Sequence, residues 1–373
     1  MLSKNKKRPV RILVVRPDRV GDVVLSTPVY HTLKDSFGGC FVGALVSSYT
    51  APLLMGNPNI DVIITDDPGS EEDESLSFRR KVKEIESYNF DVALLLLPTK
   101  RLAYMLFLAG IPYRLGVGHI LYEVITLMRG VSRHKYNPLR HESDYMLDLA
   151  RRIKARYIWK KPEIFLTWEE KVKARDYLLK KGFGKDSPIV CVHPGSGHSS
   201  PNWKPARYAE LAALLAKAGV QVLVTGSGSE KEYESLFAGQ DMQGVRTAFG
   251  ELSLIELAAV ESQVDVFVSS STGPMHMAAA VGTKTVSMFC PLTACSPKLW
   301  GPVGNTSSVI LPPGNFCATQ CPGDPHVCTF GSGEEGITVE RVYNATMEFL
   351  NLGQPEAQYS KETSDDNSTS NGQ

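Results

Sequence analysis

The chain has 373 residues, of which 43% are hydrophobic and 21% charged, and its 40 Lys+Arg balance its 40 Asp+Glu. That length suits two domains, and the composition is that of a globular protein with ample core. The formal net charge of +0 excludes a global nucleic-acid signature, so attraction to a polyanion has to be local.

The start, MLSKNKKRPV, is basic but has no apolar segment behind it, so no secretory signal is expected. In the first half RILVV, CFVGALVS, DVIIT and DVALLLL read as strands. They are near-continuous apolar runs, the pattern of a parallel sheet covered on both faces. Helical segments alternate with them, among them VVLSTPVYHTLKDSF and SFRRKVKEIESY. FDVALLLLPT and RLAYMLFLAGIPYRLG are the most apolar stretches, but Pro, Gly and Arg break them well short of the ~20 apolar residues of a membrane span. The expectation is a cytoplasmic protein.

A charged join runs from about Lys154 to Asp186. The second half then repeats the plan. PIVCVHPG, QVLVTGSG, VDVFVSSS and TKTVSMFC read as strands, and ARYAELAALLAKAG, SEKEYESLFAG and LSLIELAAVESQ as helices with i, i+3, i+4 apolar spacing. Such alternation implies an α/β protein with two doubly wound domains, here 1–165 and 166–352. A closing helix, TVERVYNATMEFL, has Thr338 as its N-cap. The polar tail 353–373 is expected to be disordered, and its NST sequon carries no weight without a secretory route.

Open α/β sheets bind ligands beyond the carboxyl ends of their strands, so chemistry is sought in the loops that follow them. After RILVV comes RPDRVGDVV, where Asp22 heads a helix. From spacing alone, Asp18 and Asp22 are either helix-start carboxylates favoured by the macrodipole or, for Asp22, a general base at the cleft. One glycine excludes a dinucleotide fingerprint, which needs three. After PIVCV, the loop VHPGSGHSSPNWKPAR offers His193, Ser196, Gly197, Ser199 and the charge of Lys204, before a helix with Pro205 in its first turn. After QVLVTG, Gly226 and Gly228 form a tight turn, with Glu230 or Glu232 placed for ribose hydroxyls or for a first helical turn. After VDVFVSS, Ser271-Thr272-Gly273-Pro274 opens a small-residue helix with His276 in its first turn, whose free N–H groups suit a diphosphate.

Seven cysteines do not make a disulfide scaffold in a chain of this length. Cys317, Cys321 and Cys328, with His326 nearby, are spaced more widely than CxxC pairs. They read as reduced thiols in an irregular loop, and no metal site is assigned. From Arg129 to Lys161 the basic residues exceed the acidic ones Glu142, Asp144 and Asp148. That excess reads as a solvated helix face or as a docking surface for an anionic glycolipid or inner leaflet.

Four motifs, ILVVRPDRVGDVVLSTP, VHPGSG…NWKPARYAELAALLAKAG, VLVTGSGSEKE and FVSSSTGPMHMAAAVGT, resemble in their order the ADP-heptose:lipopolysaccharide heptosyltransferase family, glycosyltransferase family 9. The resemblance spans Arg11 to Leu350. It implies a GT-B fold: two Rossmann-like domains facing a central cleft, the first binding the acceptor and the second the nucleotide sugar. It implies inverting, metal-independent transfer without a cofactor, ADP-heptose being the implied donor and a lipopolysaccharide-core or related glycan, lipid-linked or oligosaccharide, the acceptor. Asp22 looks like the family's catalytic base and Glu230 its nucleotide-contacting carboxylate. Ser196, Gly197, Lys204, Gly226, Ser271, Thr272, Gly273 and His276 complete the donor side, and Arg19, Lys100, Arg101 and His141 are assigned to the acceptor.

Two positions depart from the family pattern. Ser271 stands where members often have Asp, and Pro201 where many have Lys, with Lys204 three residues on as a substitute charge. These departures open the donor to a hexose or to a heptose held differently. They also keep in view a nucleotide-sugar enzyme of another type, such as an epimerase, or a non-catalytic glycan-binding relative. No nucleic-acid partner is expected, and the basic 129–161 stretch would supply peripheral contact with the inner membrane.

Overall fold

The computed structural model describes residues 8–351 except 70–73, 117–120, 133–136, 157–160, 185, 198–199, 325 and 332–334. The tail, the extreme N-terminus, Ser199, and Arg133, Lys135 and Lys160 of the basic stretch therefore lie outside the described residues.

The chain order opens with β1 (Arg11–Val15), α1 (Val20–Ser36), β2 (Phe41–Val46) and β3 (Val62–Thr65). It continues through α2 (Glu74–Ser87), β4 (Val92–Leu95), α3 (Lys100–Leu108), β5 (Tyr113–Gly116), α4 (Leu121–Ile125), β6 (Arg129–Gly130) and α5 (Glu142–Arg152). These strands form one six-stranded sheet in the order β3-β2-β1-β4-β5-β6. The second half starts with α6 (Trp168–Lys180), β7 (Ile189–His193), α7 (Pro205–Lys217), β8 (Gln221–Gly226), β9 (Val245–Phe249), α8 (Leu254–Glu261) and β10 (Val266–Ser270). Then follow α9 (Gly273–Val281), β11 (Lys284–Met288), α10 (Pro297–Trp300), β12 (Ser307–Ile310), α11 (Gly314–Thr319) and α12 (Val339–Asn351). The second sheet runs β12-β11-β10-β7-β8-β9, so each lobe places its strands in the doubly wound order 3-2-1-4-5-6. Every strand pairing is parallel.

The apolar runs behave as their composition dictates. Along β1, Ile12 and Val14 enter one core and Leu13 and Val15 the core on the opposite face. In the second lobe Val190 and Val192 alternate with Cys191 in the same way. Period-two alternation with both faces covered is the signature of a buried parallel strand.

Four strands in each half were expected, whereas each sheet has six. The additional β5, β6, β9 and β12 include YRLG, RG, VRTAF and SSVI, short or mixed sequences. Three of them, β6, β9 and β12, lie at a sheet edge, where one flank is unpaired and the apolar run is not required, and β5 lies beside one. A second correction concerns SEKEYESLFAG, which forms a 3₁₀ helix over Gly228–Phe237 rather than an α-helix.

Pro28 sits inside α1, and the lost N–H is compensated locally. Thr27 Oγ1 donates to the Val24 carbonyl at 2.7 Å, the acceptor that the residue-28 amide would have used. The same Oγ1 accepts from the Glu163 backbone N–H at 3.0 Å, tying the join between lobes to α1. Thr338 caps α12 as expected, its Oγ1 accepting from Arg341 N at 3.3 Å.

Between the lobes lies a separate apolar cluster of Val24, Leu53, Ile164, Leu257, Ala258, Met277 and Ala280. It seats α1 against α8 and α9, so the carboxyl ends of the two sheets face each other.

Candidate functional site: a cleft between two switch points

A cleft of about 570 Å³ opens where the lobes face each other. Its first-lobe wall is Asp18, Arg19, Val20, Gly21 and Asp22 after β1, with Tyr49 after β2. The second-lobe wall includes His193, Gly195, Ser196, Gly197 and Ser200 after β7. Gly226, Ser227 and Glu230 follow β8, and Ser271, Thr272, Gly273 and His276 follow β10. In each sheet the strand order reverses between the first strand and its crossover neighbour, β1/β4 and β7/β10; the β1, β7 and β10 loops leave those switch points, and the β2 and β8 loops adjoin them.

The first wall is built on Arg16, which the sequence reading did not single out. Its guanidinium is buried at the end of β1. Nη1 donates to the Leu96 carbonyl at 2.8 Å, Nε pairs with Asp18 at 3.0 Å, Nη2 pairs with Asp22, and Glu142 stands 3.9 Å away. Burial works against its charge, but Asp22, Asp18 and Glu142 together outweigh it and hold the arginine protonated more firmly than usual. Asp18 is displaced the other way. Burial is the main cause, Arg16 opposes it, Asp22 and Glu142 reinforce it, and its pKa is pushed up to about 7. Asp22 lies in the first turn of α1, so it is both helix-start carboxylate and cleft residue.

The second wall is a set of interlocked loops. Ser200 Oγ donates to the Ser271 carbonyl at 2.6 Å, joining the β7 and β10 loops. Asn202 Nδ2 donates to the Pro194 carbonyl at 2.7 Å, while its Oδ1 accepts from Tyr208 at 2.7 Å and Ser270 at 2.6 Å. His193 Nδ1 shares a hydrogen bond of 3.0 Å with Thr225 Oγ1, and burial lowers its pKa. Glu230 closes a capping box, accepting from Ser227 N at 2.8 Å and Oγ at 2.9 Å. Its carboxylate lies directly over Gly195, where a Cβ would come within 1.9 Å of Oε1.

At α9 the N-cap is Thr272, whose side chain makes no capping bond. Thr272 Oγ1 and His276 Nδ1 are buried and have no hydrogen-bond partner among the described residues. Burial, with His141 adding to it, lowers His276 to about 3, so the imidazole is neutral. The N-termini of α1 and α9 therefore meet at the cleft, each with free N–H groups and a positive dipole end.

The remaining predicted residues are placed elsewhere. Lys204 is exposed at the N-cap of α7 and does not line the cleft. Lys100 is exposed at the start of α3, and Arg101 is held by Asp66 at 2.9 Å and by Glu74. His141 caps α5 through Nδ1, and its Nε2 is 3.0 Å from the Gly301 carbonyl across the lobes. Pro201 is buried behind the loop. The cleft also includes Leu252, Leu254, Leu257 and Trp300, which no motif announced.

Two facing doubly wound lobes, with an acid-bearing loop opposite anion-ready helix and loop N–H groups, define a GT-B glycosyltransferase. Residues 78–321, more than half of the chain, match the model of Glycosyltransferase family 9 (heptosyltransferase), and the chain belongs to that family. A putative glycosyltransferase of Haemophilus influenzae is 29% identical over 316 residues, spanning 82% of this chain and 89% of that protein. Lipopolysaccharide heptosyltransferase 2 of Salmonella typhimurium is 26% identical over 81% of this chain and 88% of its own length. Among solved structures, a family 9 glycosyl transferase from Veillonella parvula superposes with TM-score 0.80 at 19% identity, covering 93% of this chain and 98% of that one. ADP-heptose lps heptosyltransferase II of E. coli does so with TM-score 0.71 at 21% identity, covering 92% and 99%.

Proposed function

We propose that this glycosyltransferase moves a heptose or related sugar from an ADP- or other nucleotide-sugar donor to a lipopolysaccharide-core or related glycan acceptor, with inversion at the anomeric carbon. The observation that carries the proposal is the position of Asp22, in the cleft at the start of α1, opposite the unpartnered Thr272 Oγ1 and His276 Nδ1 of α9. The names of the family 9 relatives support the sugar and acceptor class. The division of labour places the acceptor on 1–165 and the donor on 166–352.

In this mechanism Asp22 takes the proton of the acceptor hydroxyl as its oxygen bonds to the anomeric carbon. The bond from that carbon to the diphosphate oxygen breaks on the opposite side. The N–H groups that open α9, with Thr272 and the 195–197 loop, receive the developing diphosphate charge, a task a divalent cation performs in other transferases. The proposal accordingly has transfer proceed without a metal. Neutral His276 offers a hydrogen bond rather than a charge. Glu230, clamped by Ser227 beside Gly195, is placed for the nucleoside, and Arg19 for the acceptor.

Peripheral contact with an anionic leaflet belongs to the same proposal. Exposed Arg129 and Arg152 support it, as do the exposed apolar Leu121, Val124 and Ile125 of α4. Among the described residues no helix is long and apolar enough to cross a membrane.

The test is a transfer assay with a panel of nucleotide sugars and heptose-acceptor core glycans, run with wild type and Asp22→Asn. Product with an ADP-sugar and a 10²–10⁴-fold loss in the variant are expected. Unchanged turnover by Asp22→Asn rejects the base, and sugar turnover without any acceptor points to an epimerase instead.

A further inference from the structure

Asp22 does not hold Arg16 alone. The same guanidinium presents Nε to Asp18 at 3.0 Å and Nη2 to Asp22, so two cleft-lining carboxylates, four residues apart, lean on one buried positive charge. Both are largely withdrawn from solvent, with side-chain exposures of 18% and 14%, and Arg16 is at 6%. A base in this position faces an electrostatic problem. When it accepts a proton its negative charge disappears, and the buried guanidinium loses one of its counter-ions. An uncompensated buried charge is costly.

From this shared arginine we infer that Asp18 is a positioning residue for catalysis, acting as the alternate counter-ion that Arg16 turns to when Asp22 becomes protonated. The inference rests on the assignment of Asp22 as base. Protons balance in the step: one passes from the acceptor hydroxyl to Asp22, and one leaves Asp18 for water in the cleft whenever Asp18 began the cycle protonated. The charge on the Arg16–Asp18–Asp22 set is then the same before and after transfer. Once product has left, Asp22 releases its proton to water, Asp18 takes one back where it began the cycle protonated, and the original pairing returns.

The groups facing Asp18 are Arg16 just after β1, Arg19 at the N-cap of α1, Asp22 in its first turn, and Glu142 from α5. Burial, the largest influence, displaces the Asp18 carboxyl to about 7. The cleft histidines are held down, His276 near 3 and His193 lowered by burial, and burial lowers His141 outside the cleft lining as well. Above pH 7 Asp18 is already ionised and Arg16 has its second partner in hand. Below it, each turnover must first expel a proton. Turnover therefore rises through a step near pH 7 that belongs to Asp18.

The experiment measures kcat and KM against pH for wild type, Asp18→Asn and Asp22→Asn, with melting temperature as a check on folding. Asparagine keeps the size and shape of the side chain but cannot ionise. We expect Asp18→Asn to lower kcat roughly tenfold at pH 8, less than the loss of the base itself. KM should be little changed, and the step near pH 7 should vanish. A structural role would lower the melting temperature and move kcat at every pH alike, leaving the step in place. The inference is overturned if Asp18→Asn keeps the wild-type kcat and step, or if the wild type shows no step near pH 7, a result independent of how the variant folds. An active Asp22→Asn enzyme would reject the base assignment, whereas an inactive one beside an unaltered Asp18→Asn rejects only the role of Asp18.

Discussion

Gly21 and His276 meet across the cleft so closely that neither lobe could approach if residue 21 carried a side chain. A Cβ there would stand 2.7 Å from His276 Cδ2 and 3.6 Å from the Gly273 Cα. The contact is reciprocal, since a Cβ on Gly273 would come within 2.9 Å of the Val20 Cβ. The first turns of α1 and α9 can thus touch backbone to backbone, which brings Asp22 and the α9 N–H groups to one site.

Gly21→Ala should force the two first turns apart. Overpacking of this kind costs about 1–3 kcal/mol. A lower melting temperature and a fall in kcat larger than any change in KM are expected, because Asp22 moves relative to the donor side. Gly38→Ala, beyond the other end of α1 with nothing within 4 Å, serves as control and should shift stability by no more than about 0.5 kcal/mol. Equal effects from the two substitutions would refute this account of Gly21.

Gly195 and Glu230 form a second pair that should fail together. An alanine at 195 would displace the Glu230 carboxylate from its capping box with Ser227, where loss of a cap costs about 0.5–2 kcal/mol. Titration calorimetry with a nucleoside diphosphate should show weaker binding by Gly195→Ala and by Glu230→Ala. Once the carboxylate is gone the Cβ has room, so the double variant should bind no worse than Glu230→Ala. Additive losses would mean that the two positions act independently.

Asn202 carries the donor-side loops. It joins Pro194 to Ser270 and Tyr208 through its side chain, and its N–H donates to the Cys328 carbonyl at 3.1 Å. Asn202→Ala leaves buried polar partners unmet, about 1–3 kcal/mol for each unsatisfied group. Thermal melts should show a clear loss, and nucleotide affinity should fall because the 194–200 and 270–272 loops are no longer tied. Asn202→Asp retains the acceptor for Tyr208 and Ser270 but sets a carboxylate oxygen against the Pro194 carbonyl, a repulsion that alanine avoids, and should lose more. The ranking fails if the two variants melt alike.

Glu261, at the end of α8, sets a pH dependence of stability. It is fully buried, neither carboxyl oxygen has a hydrogen-bond partner, and burial raises its pKa well above the usual value. The unfolded chain releases this proton near pH 4.5, whereas the folded protein keeps it to much higher pH. The folded state then binds more protons, so stability falls as pH rises through that window, by up to about 1.4 kcal/mol per pH unit. Glu261→Gln should remove this slope, and its advantage in melting temperature over wild type should grow from pH 5 to pH 8. A constant difference across that range would contradict the assignment.

Much of this protein was legible in its sequence. Apolar runs such as RILVV and IVCVH are strands because both faces of a parallel sheet demand burial, and the glycine, proline and hydroxyl residues after them mark loops and helix starts. Asp22, Ser196, Gly197, Gly226, Glu230, Ser271, Thr272, Gly273 and His276 all reach the cleft, because each follows the carboxyl end of a strand. Edge strands such as SSVI escaped because exposure releases them from that rule. Only the tertiary structure decided which charges face the cleft. Lys204, Lys100 and Arg101 are unremarkable basic residues until packing sends them elsewhere, and Arg16 looks like the polar end of a strand. Its importance comes from Asp18 and Asp22 of its own loop meeting Glu142 and the Leu96 carbonyl, which reach it from two distant segments. Local pattern determines burial and periodicity, but a buried charge also takes partners from distant segments, and no single stretch of chain contains them all.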